Sequence, residues 1–288
     1  MRLQVGISTC PNDTFAFHAV MERKVNLRGL EFDFELHDVQ ELNDRLFAGA
    51  YDVSKASYHA ALLLAGSYGL LRVGSALGFG VGPLLVAADP SAVLTPASRV
   101  LCPGATTTAT LLFRCLHPDV PGIEQRVFSD IVPALRSGEA DFGVLIHEGR
   151  LTYQRDGLTL VEDLGTSFEQ LAQAPVPLGG ILARLDLPDD VPDRVAAVIR
   201  DSIAYGRANR TEVLTTIRRY AQEMSEDVIW PYVELYVNEH TVDFGPEGVR
   251  AIETLERTGA AAGVIDPDLT PVRILETSAM PLPSTGRG

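Results

Sequence analysis

Imidazole, ammonium and clustered hydroxyl groups are the side chains of this sequence with chemistry to offer, and each sits at the end of an apolar run. The stretch GEADFGVLIHEGR, residues 138–150, leads a short apolar segment directly into His147 and Glu148. An unperturbed imidazole titrates near pH 6.5, which suits a proton acceptor at cellular pH. The alternative is an inert histidine held by backbone at a strand end. In SKAS, residues 54–57, a cation and two hydroxyls follow another apolar run. Lys55 suits a carboxylate or a developing enolate; the competing fate is a solvated surface lysine. Only Lys24 and Lys55 are lysines among the 24 basic residues, and the surroundings of Lys55 are apolar, which weakens the surface reading.

Hydroxyls gather in two further places. GATTTAT, residues 104–110, puts Thr106, Thr107 and Thr108 at the start of a predicted helix. Free N–H groups and the helix dipole there favour a carboxylate, although one threonine would be enough for plain N-capping. STCPNDTFAFH, residues 8–18, is a second strand-to-helix turn, with Ser8, Thr9, Asn12 and Thr14 as donors. Cys10 stands beside a helix N-terminus, where a thiol can become nucleophilic. No partner base lies near it in sequence, so it is read as a lining residue. The aromatic stripe of WPYVELYVN, residues 230–238, reads as core, with Tyr236 and Asn238 able to reach an aromatic ligand. No second His or Cys falls at metal-ligand spacing to His147, so no metal is expected. GFGVGP, residues 78–83, is followed by a strand pattern and not by a helix, which reads as a hinge or tight loop and not as a dinucleotide site.

Something must hold these groups in place. The 288 residues are too many for one small core and suit two lobes. A formal net charge of −14 repels phosphate backbones and anionic headgroups, which makes nucleic acid and membrane poor partners. Cys10, Cys102 and Cys115 are too few and too scattered for a disulfide framework, and the chain opens straight into a strand pattern; a cytoplasmic location is expected. Strands are predicted at 3–9, 30–38, 51–58, 70–77, 82–89, 98–104, 124–129, 140–148 and 177–184. Helices are predicted at 11–25, 39–50, 59–69, 105–116 and 130–139, with a largely helical remainder from about 190 and an irregular Pro- and Ser-rich tail after about 266. The alternation implies an α/β fold with mostly parallel sheets and ligands beyond strand carboxyl ends.

One pattern occurs in both halves. Leu46, Gly49 and Asp52 are matched by Leu135, Gly138 and Asp141, a helix ending at a glycine cap followed by an acidic residue and a buried strand. Helix–Gly–strand joints are common enough that chance remains the alternative. Taken as a repeat, the pattern puts Lys55 and Ser57 past one strand and His147 past its counterpart, facing one interlobe cleft.

STCPNDTF, SKASY, SALGFGVGP, TTTAT, VLIHE and YVNEH, read in that order, resemble the 1,4-dihydroxy-6-naphthoate synthases of the futalosine route to menaquinone. The likeness spans the chain from Cys10-Pro11-Asn12-Asp13 to Tyr236-Val237-Asn238; Ala105 before the threonines and the Pro/Ser tail are departures. The resemblance implies a two-lobed fold like the type II periplasmic solute-binding proteins, with an interlobe cleft. Residues 1–97 and 178–288 would form a discontinuous first lobe and 98–177 the second. It implies cofactor-independent carbon–carbon cleavage of a small carboxylated substrate, cyclic dehypoxanthine futalosine. His147 matches the proton acceptor of that family, and Lys55, Ala56, Ser57, Thr107 and Thr108 match its substrate contacts; Ser8, Cys10, Asn12, Tyr236 and Asn238 are candidate cleft-lining residues. Two other classes compete. A chorismate dehydratase of the same superfamily opens with a different N-terminal motif, and a non-catalytic solute-binding protein would normally carry an export signal.

Overall fold

The computed structural model describes residues 1–221 and 225–275. The chain begins β1 (Arg2–Ser8), α1 (Pro11–Met21), β2 (Glu31–His37), α2 (Val39–Phe47), β3 (Val53–Ser57), α3 (Tyr58–Leu63) and β4 (Tyr68–Gly78). It continues through β5 (Leu84–Ala87), β6 (Val100–Cys102), α4 (Thr108–Leu116), β7 (Ile123–Gln125), α5 (Phe128–Ser137), β8 (Phe142–Leu145), the single turn α6 (Gly149–Thr152), β9 (Thr159–Asp163) and α7 (Leu164–Ala172). Then come β10 (Val176–Arg184), α8 (Val191–Ala208), α9 (Arg210–Tyr220), α10 (Glu226–Tyr236), α11 (Glu239–Val242), α12 (Gly245–Ala261) and β11 (Ile274–Leu275). The tail expected after 266 is described only as far as 275; the rest of that expectation lies outside the described residues.

Two sheets form two lobes. The first has the order β11-β4-β10-β3-β1-β2 and the second β7-β6-β8-β5-β9. Both are mostly parallel, each with one reversed strand. β10 runs antiparallel to both β3 and β4, and β5 antiparallel to both β8 and β9. These are the strands by which the chain enters the second sheet and returns to the first, so each arrives from the opposite end to its neighbours. β5 already pairs in the second sheet, so the lobe boundary expected at 97/98 falls inside that sheet's share of the chain. The crossing lies between Gly78 and Leu84.

Local sequence explains the elements that carry the site. Pro11 at the first turn suits α1, whose fixed φ it pre-sets. The helix is buried from Pro11 through Val20, because it is packed between the first sheet and α8, α9 and α10. Asp38 caps α2 by accepting from Gln40 N, and Thr107 caps α4 by accepting from Thr110 N. α5 begins at Phe128, inside the segment expected to be a strand to 129: only Ile123–Gln125 pairs, and the turn after it starts the helix at once.

The echoed pattern is the same object twice. Gly49 (φ 71°) and Gly138 (φ 76°) both take the left-handed conformation that ends their helices. Asp52 accepts from Gln4 N at 2.8 Å and Asp141 from Arg99 N at 2.8 Å, each tying its strand entry to the neighbouring segment. Leu46 and Leu135 are both buried beneath their helices. Lys55 and Ser57 lie within the carboxyl half of β3, and His147 lies two residues past β8.

Candidate active site

A cavity with about 650 Å³ of space between atoms, counting its open mouth, lies between the lobes. Ser8, Asn12, Lys55, Ala56 and Ser57 face it from the first lobe, and Thr107, Thr108 and His147 from the second; Tyr236 closes one wall. Beyond His147 a wider groove of about 970 Å³ leads outward, and Cys10 lines this groove and not the inner cavity. Hydrogen bonds cross between the lobes around the cavity. Gln40 Oε1 accepts from Thr106 N and Oγ1, both at 3.2 Å, Asn43 Nδ2 donates to Thr106 O at 3.3 Å, and Thr108 Oγ1 donates to Leu178 O at 2.6 Å. The lobes are closed on one another.

His147 has a left-handed backbone, φ 52°, which histidine tolerates better than most residues. Its imidazole reaches the first lobe. Nδ1 lies 3.2 Å from Cys10 Sγ and 3.5 Å from the hydroxyl of Tyr232, which in turn donates to Asn12 Oδ1 at 3.3 Å. Phe128 meets the ring edge-on at 5.3 Å between centroids. Burial is the largest single influence and disfavours the charged ring, but the charge and hydrogen bond of Cys10, together with Glu148 and Asp38, outweigh it, and the group is pushed up to about 9. The ordinary imidazole read from the sequence is therefore an imidazole coupled to a sulfur.

Lys55 is not a surface lysine. Its Nζ donates to Asp13 Oδ1 at 2.9 Å and to Gly74 O at 3.2 Å, and both members of the ion pair are buried. The pair is close to neutral as a unit, so Lys55 presents its remaining N–H to the cavity and not a free positive charge. Asp13 also accepts from Ser8 N, from Ser8 Oγ at 2.7 Å and from Asn12 Nδ2 at 3.0 Å, as a buried carboxylate requires. Ser57 is held twice by the buried Asn43: its N–H donates to Oδ1, and its Oγ accepts from Nδ2, both at 3.1 Å. That leaves the hydroxyl proton of Ser57 to point elsewhere.

The threonine turn works differently from the sequence expectation. Thr107 Oγ1 donates to Gly104 O at 2.8 Å while capping Thr110 N, and Thr108 Oγ1 donates to Leu178 O. Both hydroxyls are engaged. What the head of α4 offers an anion is its first-turn amides, those of Thr108 and Ala109, which have no carbonyl one turn back to bond. Behind them lies His59, whose ring nitrogen meets Thr107 O at 3.3 Å and whose burial pushes it down to about 4, so it stays neutral near pH 7.

Asn238 does not line the cavity. It caps α11, accepting from His240 N, and its Nδ2 donates to Leu77 O at 2.9 Å, a bracing role at the base of β4. Tyr236 does line it and donates to Val81 O at 3.2 Å. Sequence reading missed Asp13, Asn43 and Tyr232. An acid in a first helical turn passes for a dipole partner, and an asparagine in an amphipathic helix passes for surface. The usable signal was Lys55: a lysine in an apolar run needs a carboxylate, and of the two turns rich in polar donors only the one at 8–18 contains an acid, Asp13. GFGVGP is a crossing loop, in which Gly82 packs directly on Gly165: an added Cβ at Gly82 would lie 2.2 Å from the Gly165 Cα. Among the described residues, no group of His, Cys, Asp and Glu is arranged to hold a metal ion, and no helix is long and apolar enough to cross a membrane.

Comparison with known proteins adds the rest. Residues 3–261 match the family model described as menaquinone biosynthesis. The chain is 40% identical to a 1,4-dihydroxy-6-naphthoate synthase of Thermus thermophilus over 94% of its own length and 98% of that protein. It is 37% identical to a protein of the same name from Streptomyces coelicolor over 91% and 94% of the two chains. A Candida albicans protein described as having the generic periplasmic binding protein fold superposes with a TM-score of 0.67 over 97% of this chain and 99% of that one; at 12% identity this likeness speaks for the fold alone.

Proposed function

The chain belongs to the menaquinone biosynthesis family, and from that membership we propose that it is a 1,4-dihydroxy-6-naphthoate synthase acting as a cofactor-independent carbon–carbon lyase on cyclic dehypoxanthine futalosine. The observation that carries the mechanism is the meeting, around one interlobe cavity, of an imidazole from one lobe with hydroxyl and amide donors from both. The substrate carboxylate sits on the amides of Thr108 and Ala109, with the hydroxyl proton of Ser57 as a further donor. Tyr232 and Tyr236, whose rings pack 4.5 Å apart between centroids, give the bicyclic portion an apolar wall. Lys55, with its charge offset by Asp13, steadies the floor of the cavity and donates one N–H.

His147 accepts a proton from a substrate hydroxyl or acidic C–H. The electron pair left behind forms the new double bond, the neighbouring carbon–carbon bond breaks, and its electrons enter the ring, which becomes aromatic. A three-carbon sugar-derived fragment leaves. Closure of the lobes keeps water from the developing charge. A positioned acceptor contributes about a hundred- to ten-thousand-fold.

Incubation of the purified protein with cyclic dehypoxanthine futalosine should yield 1,4-dihydroxy-6-naphthoate, read by its absorbance after chromatography. Replacing His147 with Asn should lower kcat by about two to four orders of magnitude with little change in KM. Folded protein that leaves this substrate untouched but removes water from chorismate would move the chain to the dehydratase reading; undiminished turnover by the variant would remove His147 from the mechanism.

A further inference from the structure

We propose that Cys10 and His147 act as one proton-accepting pair, in which the sulfur sets the charge and basicity of the imidazole. This rests on the reading of His147 as the proton acceptor, and makes Cys10 a positioning residue for it. Cys10 Sγ lies 3.2 Å from Nδ1 and 3.9 Å from Nε2 of His147, close to both ring nitrogens. The two residues come from different lobes and are 137 positions apart, so only the closed arrangement brings them together. The backbone of Cys10 is fixed from below by its N–H bond to Ser8 Oγ, and Ser8 is held by Asp13. A sulfur so placed is a device and not a gap-filler: it stands at the first turn of an eleven-residue helix, partly open to the outer groove, against the ring that the chemistry needs.

Two groups this close titrate as a unit. With one proton between them the pair is either thiol and neutral imidazole or thiolate and imidazolium, and in both forms it has room for one more. The ring takes the substrate's proton once its own has passed to the sulfur, and the pair ends as thiol plus imidazolium, one unit more positive than before. The surroundings favour a proton on the ring. Glu148 and Asp38 add negative potential, the hydroxyl of Tyr232 touches Nδ1, and its own ionisation is suppressed by burial. Tyr236 is likewise kept neutral by burial, and Asp13 is offset by Lys55. His37 and Glu41, four residues apart, pair with each other on one wall of the outer groove. For the imidazolium the effect of burial is overridden by the sulfur's charge and hydrogen bond together with the nearby carboxylates, and the ring is pushed up to about 9.

The test is the titration of His147 itself, followed by NMR of protein with labelled histidine, in the wild type and in Cys10→Ala and Cys10→Ser. The wild-type midpoint should lie near 9. Both variants lack an ionisable sulfur and, at a half-buried position, should keep the fold, so their midpoint should fall by about two units or more, toward or below the ordinary value, because burial then dominates. In the same variants kcat should drop about tenfold or more while KM holds. The reciprocal measurement is alkylation by iodoacetamide at neutral pH: Cys10 should react faster in the wild type than in His147→Ala. A wild-type His147 midpoint near 6.5, or one unmoved by loss of the sulfur, overturns the pair. Turnover that survives His147→Asn would instead sink the underlying assignment of the acceptor, leaving the titration result intact.

Discussion

At the scale of single residues the costliest commitment is the buried pair of Lys55 and Asp13. Two charges this deep are held by each other and by four neutral donors and acceptors around them. Removing one partner strands the other, which costs about 3–5 kcal/mol, whereas removing both with apolar groups of similar size can be nearly neutral. Asp13→Asn should therefore lose stability in that range by urea unfolding, and Asp13→Asn combined with Lys55→Met should recover most of it. A loss below about 1 kcal/mol in the single variant would mean that the ammonium finds another partner and that the pair is not the floor of the cavity. The same logic explains why Lys55 stood out in the sequence and Asp13 did not. A cation in an apolar run is anomalous by itself, but the carboxylate that answers it is 42 residues away and sits where an acid is locally unremarkable.

Among the elements, Gly82 and Gly165 decide how closely the crossing loop approaches α7. Their backbones touch so closely that no side chain fits between them, and Arg150 locks the spot by donating to Gly82 O at 2.9 Å and to Asp163 at 2.6 Å. Gly82→Ala should cost about 1–3 kcal/mol by overpacking and raise KM, since Gly82 also lines the cavity. A thermal midpoint and KM equal to wild type would show that the loop can slide. Element identity was largely readable because it rests on local periodicity: the strands around Lys55 and His147, the helix headed by Thr107 and the paired glycine caps all follow from residues within a turn of each other. Strand direction was readable too, except in β5 and β10, which run antiparallel because of where the chain crosses between lobes. Asn238 misled for the same reason. Its neighbours in sequence place it beside Tyr236, but the start of α11 turns it back toward β4.

For the molecule as a whole, the cavity belongs to neither lobe alone, so a ligand that fills it must stabilise both. Product at a hundredfold over its Kd should add about 2.7 kcal/mol to unfolding and slow amide exchange in β3 and at the head of α4 together. Protection confined to one sheet would show binding outside the interlobe cavity. The order of the first sheet has another consequence. β10 lies between β3 and β4, yet it is made last of the three, after the whole second lobe. On the ribosome, the nascent chain carries β3 and β4 with their facing edges open until residue 184 has been added, roughly 5–20 s after β4 is complete at ordinary elongation rates. During that interval the half-built sheet exposes two unpaired edges, the feature that invites pairing with another chain until β10 fills the gap.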